Sequence, residues 1–121
     1  MDDPLALVIE DDHLLADTYA EALRAVGFAV EIVRDGRTAL ARLTTLTPAL
    51  IVLDMNLPFV PGMEILRRIR ADARLAQSRI IVTTGDAQRA EALGNDVDLV
   101  LVKPVSVTQL SELAARLRPP T

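Results

Sequence analysis

Five short apolar runs, mostly β-branched, punctuate this chain at intervals that leave room for one helix between each pair. They are Leu5–Ile9, Ala29–Val33, Ala49–Leu53, Arg79–Thr83 and Leu99–Val102, each bounded by turn-forming residues. Runs of that length and composition read as strands. The first and third contain no polar residue, the pattern of strands covered on both faces. Between the runs the apolar period lengthens to that of a helix. Leu15, Tyr19, Ala22, Leu23 and Val26 recur at helical spacing, and Gly27 ends that stretch. Asp35-Gly36 precedes a second helix with Ala39, Leu40, Leu43 and Leu46, stopped before Pro48. Met63, Leu66, Ile69 and Ala73 mark a third. Ala87 to Leu93 form a short fourth, ended by Gly94-Asn95. Ser106-Val107-Thr108-Gln109 has the form of a capping box. It opens a fifth helix with Val107, Leu110, Leu113, Ala114 and Leu117 on one face. Five strand–helix units in succession predict an α/β fold, a three-layer sandwich with a parallel sheet between two helical layers.

The 121 residues fit one domain, residues 1–118. Pro119-Pro120-Thr121 cannot continue a helix and reads as a terminus or the start of a linker. The net charge of −4 argues against direct nucleic-acid or anionic-membrane binding. Tyr19, Phe28 and Phe59 are the only aromatics, too few for base-stacking platforms. No apolar run approaches the roughly 18 residues of a membrane helix. Met1-Asp2-Asp3-Pro4 has no signal-peptide core, so a cytoplasmic location is expected. Cysteine is absent and histidine occurs once, which excludes disulfides, thiolate zinc and multi-histidine metal sites. His13 reads as a surface residue of the first helix. Apart from His13, every basic residue but Lys103 is arginine.

In sheets of this kind ligands bind beyond the carboxyl ends of the strands. Glu10, Asp11 and Asp12 follow the first run, and Asp54-Met55-Asn56-Leu57-Pro58 the third. Thr83-Thr84-Gly85-Asp86 closes the fourth, and Lys103-Pro104 follows the fifth. Under the expected fold they form one acidic pocket with one ammonium and one hydroxyl. Crowded carboxylates raise one another's pKa unless a cation sits among them. Hard oxygen donors without nitrogen or sulfur suit Mg²⁺ or Mn²⁺. A strand-end carboxylate can act as a nucleophile and form an acyl phosphate. Lysine, metal and threonine hydroxyl would then stabilise the transferring phosphoryl group.

Val8-Ile9-Glu10-Asp11-Asp12, Leu53-Asp54-Met55-Asn56-Leu57-Pro58 with Gly62, Val82-Thr83-Thr84-Gly85 and Val102-Lys103-Pro104 stand in that order. With them the chain, from about Leu5 to Leu117, resembles the receiver domain of two-component response regulators. The resemblance implies a flavodoxin-like (βα)5 sandwich with sheet order 2-1-3-4-5. It implies that Asp54 accepts a phosphoryl group from a histidine kinase or phosphotransfer protein. Asp11 and Asp54 would bind the metal, Glu10 mainly through water, and Asn56 through its backbone carbonyl. Thr84 would hydrogen-bond the phosphoryl group and move inward. Lys103 would pair with Asp54 before transfer and with a phosphoryl oxygen after it. The Lys103–Pro104 bond is expected to be cis. Asn56 and Asp86 would border the path of attacking water, and Asp86 also reads as a cap of helix four. Such a domain is a phosphoacceptor with no separate substrate turnover. It would act on a homodimer mate or an output domain through the face of helix four, strand five and helix five.

Two positions and one segment depart from the family. Val100 stands where tyrosine or phenylalanine is usual, Val105 where phenylalanine is usual, and the Thr84–Lys103 segment is about one helical turn short. An aromatic at position 100 would swing inward with Thr84, and valine cannot. An alternative is therefore a pseudo-receiver, an interaction module that signals without phosphorylation. A dehalogenase-type phosphatase would need a second aspartate where Asn56 stands, because an amide cannot shuttle the proton. In a flavin-binding module Glu10-Asp11-Asp12 would repel the phosphate. Blander roles remain for single features. Glu10-Asp11-Asp12 could serve as helix caps, Thr83 is core-facing or neutral, and Arg67, Arg68, Arg70, Arg74 and Arg79 form a solvated basic face.

Overall fold

The computed structural model describes residues 2–93 and 96–120. Its five strands are β1 (Leu5–Ile9), β2 (Ala29–Val33), β3 (Leu50–Asp54), β4 (Arg79–Thr84) and β5 (Leu99–Val102). All pair in parallel, in the order β2-β1-β3-β4-β5. The helices are α1 (His13–Ala25), α2 (Gly36–Leu43), α3 (Gly62–Ala71), α4 (Ala87–Leu93) and α5 (Val107–Leu117). The Gly94-Asn95 stop expected for α4 lies outside the described residues. No described helix is long and apolar enough to cross a membrane.

Alternation along the strands feeds two cores. Leu7, Ile9, Ile51, Leu53, Ile80 and Val82 pack against Ala39 and Leu43 of α2, Ile65, Leu66 and Ile69 of α3, and Leu93 of α4. Ala6, Val8, Leu50, Val52, Ile81 and Leu101 pack against Ala16, Tyr19 and Leu23 of α1 and Leu110 and Ala114 of α5. The central strands β1, β3 and β4 are thus apolar on both faces, as helices on both sides require.

The helix starts are chemically specified. Asp12 Oδ1 accepts from the Leu15 N–H at 2.9 Å, Asp35 Oδ1 from Thr38 at 2.8 Å, and Ser106 Oγ from Gln109 at 3.1 Å. Each such cap contributes about 1 kcal/mol. Several details differ from the sequence-based expectation. α2 ends at Leu43, before Leu46, because the Thr44 and Thr45 N–H groups bond carbonyls three residues back and tighten the chain into a turn. β3 opens at Leu50 rather than Ala49. Extended backbone at Asp72 ends α3 at Ala71, so Ala73 opens a separate 3-10 turn, Ala73–Leu75. Val107 is exposed at the first position of α5, and the buried face starts at Leu110. β3 and β4 each run one polar residue further than their apolar runs. The ladder continues because the Met55 N–H donates to the Thr83 carbonyl at 3.0 Å and the Lys103 N–H to the Thr84 carbonyl at 2.7 Å. The polar strand ends are therefore held by the sheet itself.

Candidate functional site

The chain order reverses between β1 and β3, the place where doubly wound sheets open a crevice at their carboxyl edge. Glu10 follows β1 directly, its N–H donating to the Val33 carbonyl at 3.0 Å. Asp54 is the last residue of β3. Both residues are only 1% exposed. Lys103 reaches them from beyond β5. Its Nζ lies 3.1 Å from Glu10 Oε1 and 3.4 Å from Asp54 Oδ1. The backbone supplies further donors: Asn56 N–H to Asp54 Oδ1 at 3.0 Å and Asp12 N–H to Glu10 Oε2 at 3.2 Å.

Glu10, Asp11 and Asp54 each offer a carboxylate oxygen, all within 4.8 Å of one another. Two buried carboxylates and a third at the rim outnumber the single ammonium, and every donor is a hard oxygen. That donor set fits a hard divalent cation. The acidic triplet divides its labour. Asp12 caps α1, while Glu10 and Asp11 face the site.

Burial raises the Glu10 carboxyl from 4.5 to about 7, helped by the Asp54 charge and opposed by the Asp12 N–H and Lys103. Burial alone would lower the Lys103 ammonium, but Asp54 and Glu10 outweigh it and raise its pKa. The Glu10 shift carries a pH dependence. Between 4.5 and about 7 the folded protein keeps a proton that the unfolded chain has released. In the absence of metal this group makes stability fall as pH rises through that window. Urea unfolding of wild type and Glu10→Gln across the window measures it. The wild type should lose stability relative to the variant as pH rises, and parallel curves would refute the assignment.

Thr84 is fully buried at the end of β4, and its Oγ1 accepts from the Asp86 N–H at 3.1 Å. Asp86 Oδ1 accepts from the N–H groups of Gln88 and Arg89 at 2.9 and 3.2 Å, so this carboxylate caps α4. Asn56 is exposed beside Asp54. The Lys103–Pro104 bond is cis. Val100 is half-buried and packs on the α2–α3 side core. α4 has seven residues, fewer than two turns. His13 is exposed.

Some features were not anticipated. The basic run is more than a solvated face: Arg74 bonds the Leu43 and Leu46 carbonyls, Arg70 the Asp96 carbonyl, and Arg79 pairs with Asp98. Phe59, in the β3–α3 loop, is 79% exposed at φ 69°, with the Arg37 guanidinium 5.5 Å from its ring centroid. No sequence signal marks a phenylalanine for left-handed backbone. Tyr19 and Thr83 carry buried hydroxyls without a hydrogen-bond partner. The only hint of the first was a lone tyrosine in an otherwise apolar helical stripe.

Comparison with known proteins agrees with this architecture. Residues 6–115 match the family described as response regulator receiver domain. The transcriptional regulatory protein CutR of Streptomyces coelicolor is 38% identical over 113 residues, 93% of this chain and 51% of that protein. The transcriptional regulatory protein TrcR of Mycobacterium tuberculosis is 36% identical over 114 residues, 93% of this chain and 43% of that protein. The chain spans about half the length of such curated relatives. The chemotaxis response regulator CheY4 of Vibrio cholerae superposes with a TM-score of 0.83 at 25% identity, covering 95% of this chain and 98% of that one. A CheY-like receiver domain from Methylobacillus flagellatus gives 0.81 at 26% identity, covering 97% and 100%. With the family match covering most of its length and the sheet order in agreement, this chain belongs to the response regulator receiver domains, a family of signalling modules.

Proposed function

We propose that this domain is a cytoplasmic phosphoacceptor of a two-component system and that Asp54 takes the phosphoryl group. The observation that carries this reading is the Lys103 ammonium 3.4 Å from a buried Asp54 carboxylate at the sheet's reversal point. One Asp54 oxygen would attack the phosphorus of a phosphohistidine on a kinase or phosphotransfer protein. The new O–P bond forms as the P–N bond breaks, and the electron pair leaves with the imidazole nitrogen. Lys103, already between two carboxylates, would follow the negative charge onto a phosphoryl oxygen. The Thr84 hydroxyl accepts one bond from Asp86, which leaves its own proton free to donate to the phosphoryl group. Glu10, Asp11, Asp54 and the Asn56 carbonyl would hold Mg²⁺ or Mn²⁺. When bound, that ion supplies positive charge against the phosphoryl oxygens.

Asn56, exposed beside Asp54, and Asp86, next to Thr84 in the β4–α4 loop, would border the approach of hydrolytic water and set the lifetime of the signal. Residues 1–118 would form the receiver unit, with 119–121 a terminus or the first residues of a linker. Output would pass through the α4–β5–α5 face to an output domain or a second copy. Val100 cannot make the inward rotation of an aromatic, so we assign the readout to shifts of backbone and packing around Thr84.

Intact mass spectrometry after incubation with acetyl phosphate and Mg²⁺ tests the chemistry. Wild type should gain one phosphoryl group and Asp54→Asn none. No adduct on wild type, even with a cognate kinase, would leave the module that signals without phosphorylation. Amide chemical shifts of the phosphorylated sample test the readout. An α4–β5–α5 face with unchanged shifts would contradict it.

A further inference from the structure

Two buried hydroxyls on the α1–α5 side of the sheet, those of Tyr19 and Thr83, make no hydrogen bond among the described residues. Thr83 is the cross-strand partner of Asp54 in the β3–β4 ladder. Alternation places both on the face of the sheet that carries Val52 and Ile81, the face covered by α1 and α5. The Thr83 side chain is fully buried and its Oγ1 has no partner. Tyr19 enters the same cluster from α1, is 1% exposed, and its phenol oxygen also has no partner. Burial is the main influence on that phenol and raises its pKa, and the charges of Lys103, Glu10, Asp54 and Asp12 all act on it. The phenol therefore lies within the electrostatic field of the cluster.

A buried hydroxyl without a partner has lost its water and gained nothing in return, so two on one face mark a place where hydrogen bonds can still form. Lys103 serves both Glu10 and Asp54. Any event that draws its ammonium toward a phosphoryl oxygen takes a donor from those carboxylates. A phenol is both donor and acceptor, and a threonine hydroxyl likewise.

We infer that Tyr19 is a positioning residue of the phosphorylation site, with Thr83 as its companion: their buried hydroxyls are reserve hydrogen-bonding groups behind Asp54 that engage when Lys103 changes partner. This rests on the phosphoacceptor reading above. Tyr19 acts through Lys103 and the carboxylates rather than on the phosphoryl group.

The composition supplies its own probe. Tyr19 is the only tyrosine and the chain has no tryptophan, so near-ultraviolet absorption and emission report mainly on this phenol. Wild type is titrated with beryllofluoride and Mg²⁺, with ¹⁹F NMR to follow binding independently. The tyrosine spectrum should shift with occupancy, and the shift should be lost in Lys103→Met at equal occupancy. Tyr19→Phe keeps the ring and removes only the oxygen. It should change the rate of phosphorylation or dephosphorylation about two- to tenfold, the effect of one neutral hydrogen bond. Thr83→Val should act in the same direction, and Thr83→Ser should restore the wild-type rate. A merely structural phenol predicts otherwise: Tyr19→Phe would gain stability and leave both rates unchanged. That result, or a silent tyrosine spectrum at full ¹⁹F-detected occupancy, overturns the inference while the phosphoacceptor reading stands. Wild type that binds no beryllofluoride would remove both.

Discussion

Lys103→Met should lose about 3 kcal/mol of stability at mildly alkaline pH, because removing one partner of a buried ion cluster strands the others. Glu10 and Asp54 are nearly inaccessible, and Lys103 is the one ammonium in contact with both. The figure is the low end for buried pairs, since the Lys103 side chain keeps 24% of its exposure. Below about pH 7 Glu10 takes up a proton and no longer needs the ammonium, so the deficit should shrink. Mg²⁺ should restore the variant more than it helps wild type, since it binds the folded state and replaces the missing charge. Urea unfolding across pH, with and without Mg²⁺, measures all three effects. The rate of phosphorylation by acetyl phosphate should fall about 100- to 1,000-fold, the usual loss for one preorganised charge-stabilising group. A variant as stable as wild type at alkaline pH would show that the ammonium does not hold the cluster together.

Gly62→Ala should cost about 3 kcal/mol, near the upper end for overpacking. An alanine Cβ there would sit 2.6 Å from Met55 Cα and 3.0 Å from the carbonyl oxygens of Asp54 and Met55. All three are backbone atoms at the end of β3, so no side chain can rotate away. The Gly62 N–H also donates to the Met55 carbonyl at 3.4 Å, which seats the first turn of α3 on the strand end carrying Asp54. Phosphorylation should slow together with the loss of stability. Gly85→Ala is the control. Nothing lies within 4 Å of its added Cβ, so stability should stay within about 0.5 kcal/mol of wild type. Equal melting behaviour of the two variants would refute this account of the β3–α3 junction.

The strands and helices were legible because their apolar periods are unambiguous and their caps are the expected oxygen-bearing residues. The sheet order came with the family resemblance, since alternation of elements does not fix which strand lies beside which. The site residues were visible as polar residues at run ends, but not how they are held. Asp54 and Thr84 read as loop because hydropathy stops at Leu53 and Thr83, whereas the backbone ladder continues through both. The Lys103–Glu10 contact joins residues 93 apart in the chain, which no local pattern can reveal. The separation of Asp12 from Glu10 and Asp11 depends on which side chain turns back to α1. The Tyr19 ring fits the apolar stripe of α1, and periodicity carries no signal for its buried oxygen. The left-handed backbone at Phe59 was hidden because sequence signals for it rest on glycine, asparagine and aspartate.

The carboxyl edge of the sheet can also be viewed as an electrical circuit element. With Glu10, Asp11, Asp54 and Lys103 all ionised, the cluster these four residues form there holds three negative charges and one positive. A divalent cation brings that sum to neutrality. Replacing one carboxylate by an acyl phosphate adds about one further negative charge. It does so where water is largely excluded and fields reach further than in bulk solvent. In the proposed reaction the message is then a single elementary charge placed on a previously balanced node. A surface many ångströms away needs no moving aromatic to register it, only groups whose packing differs between a neutral and a charged edge.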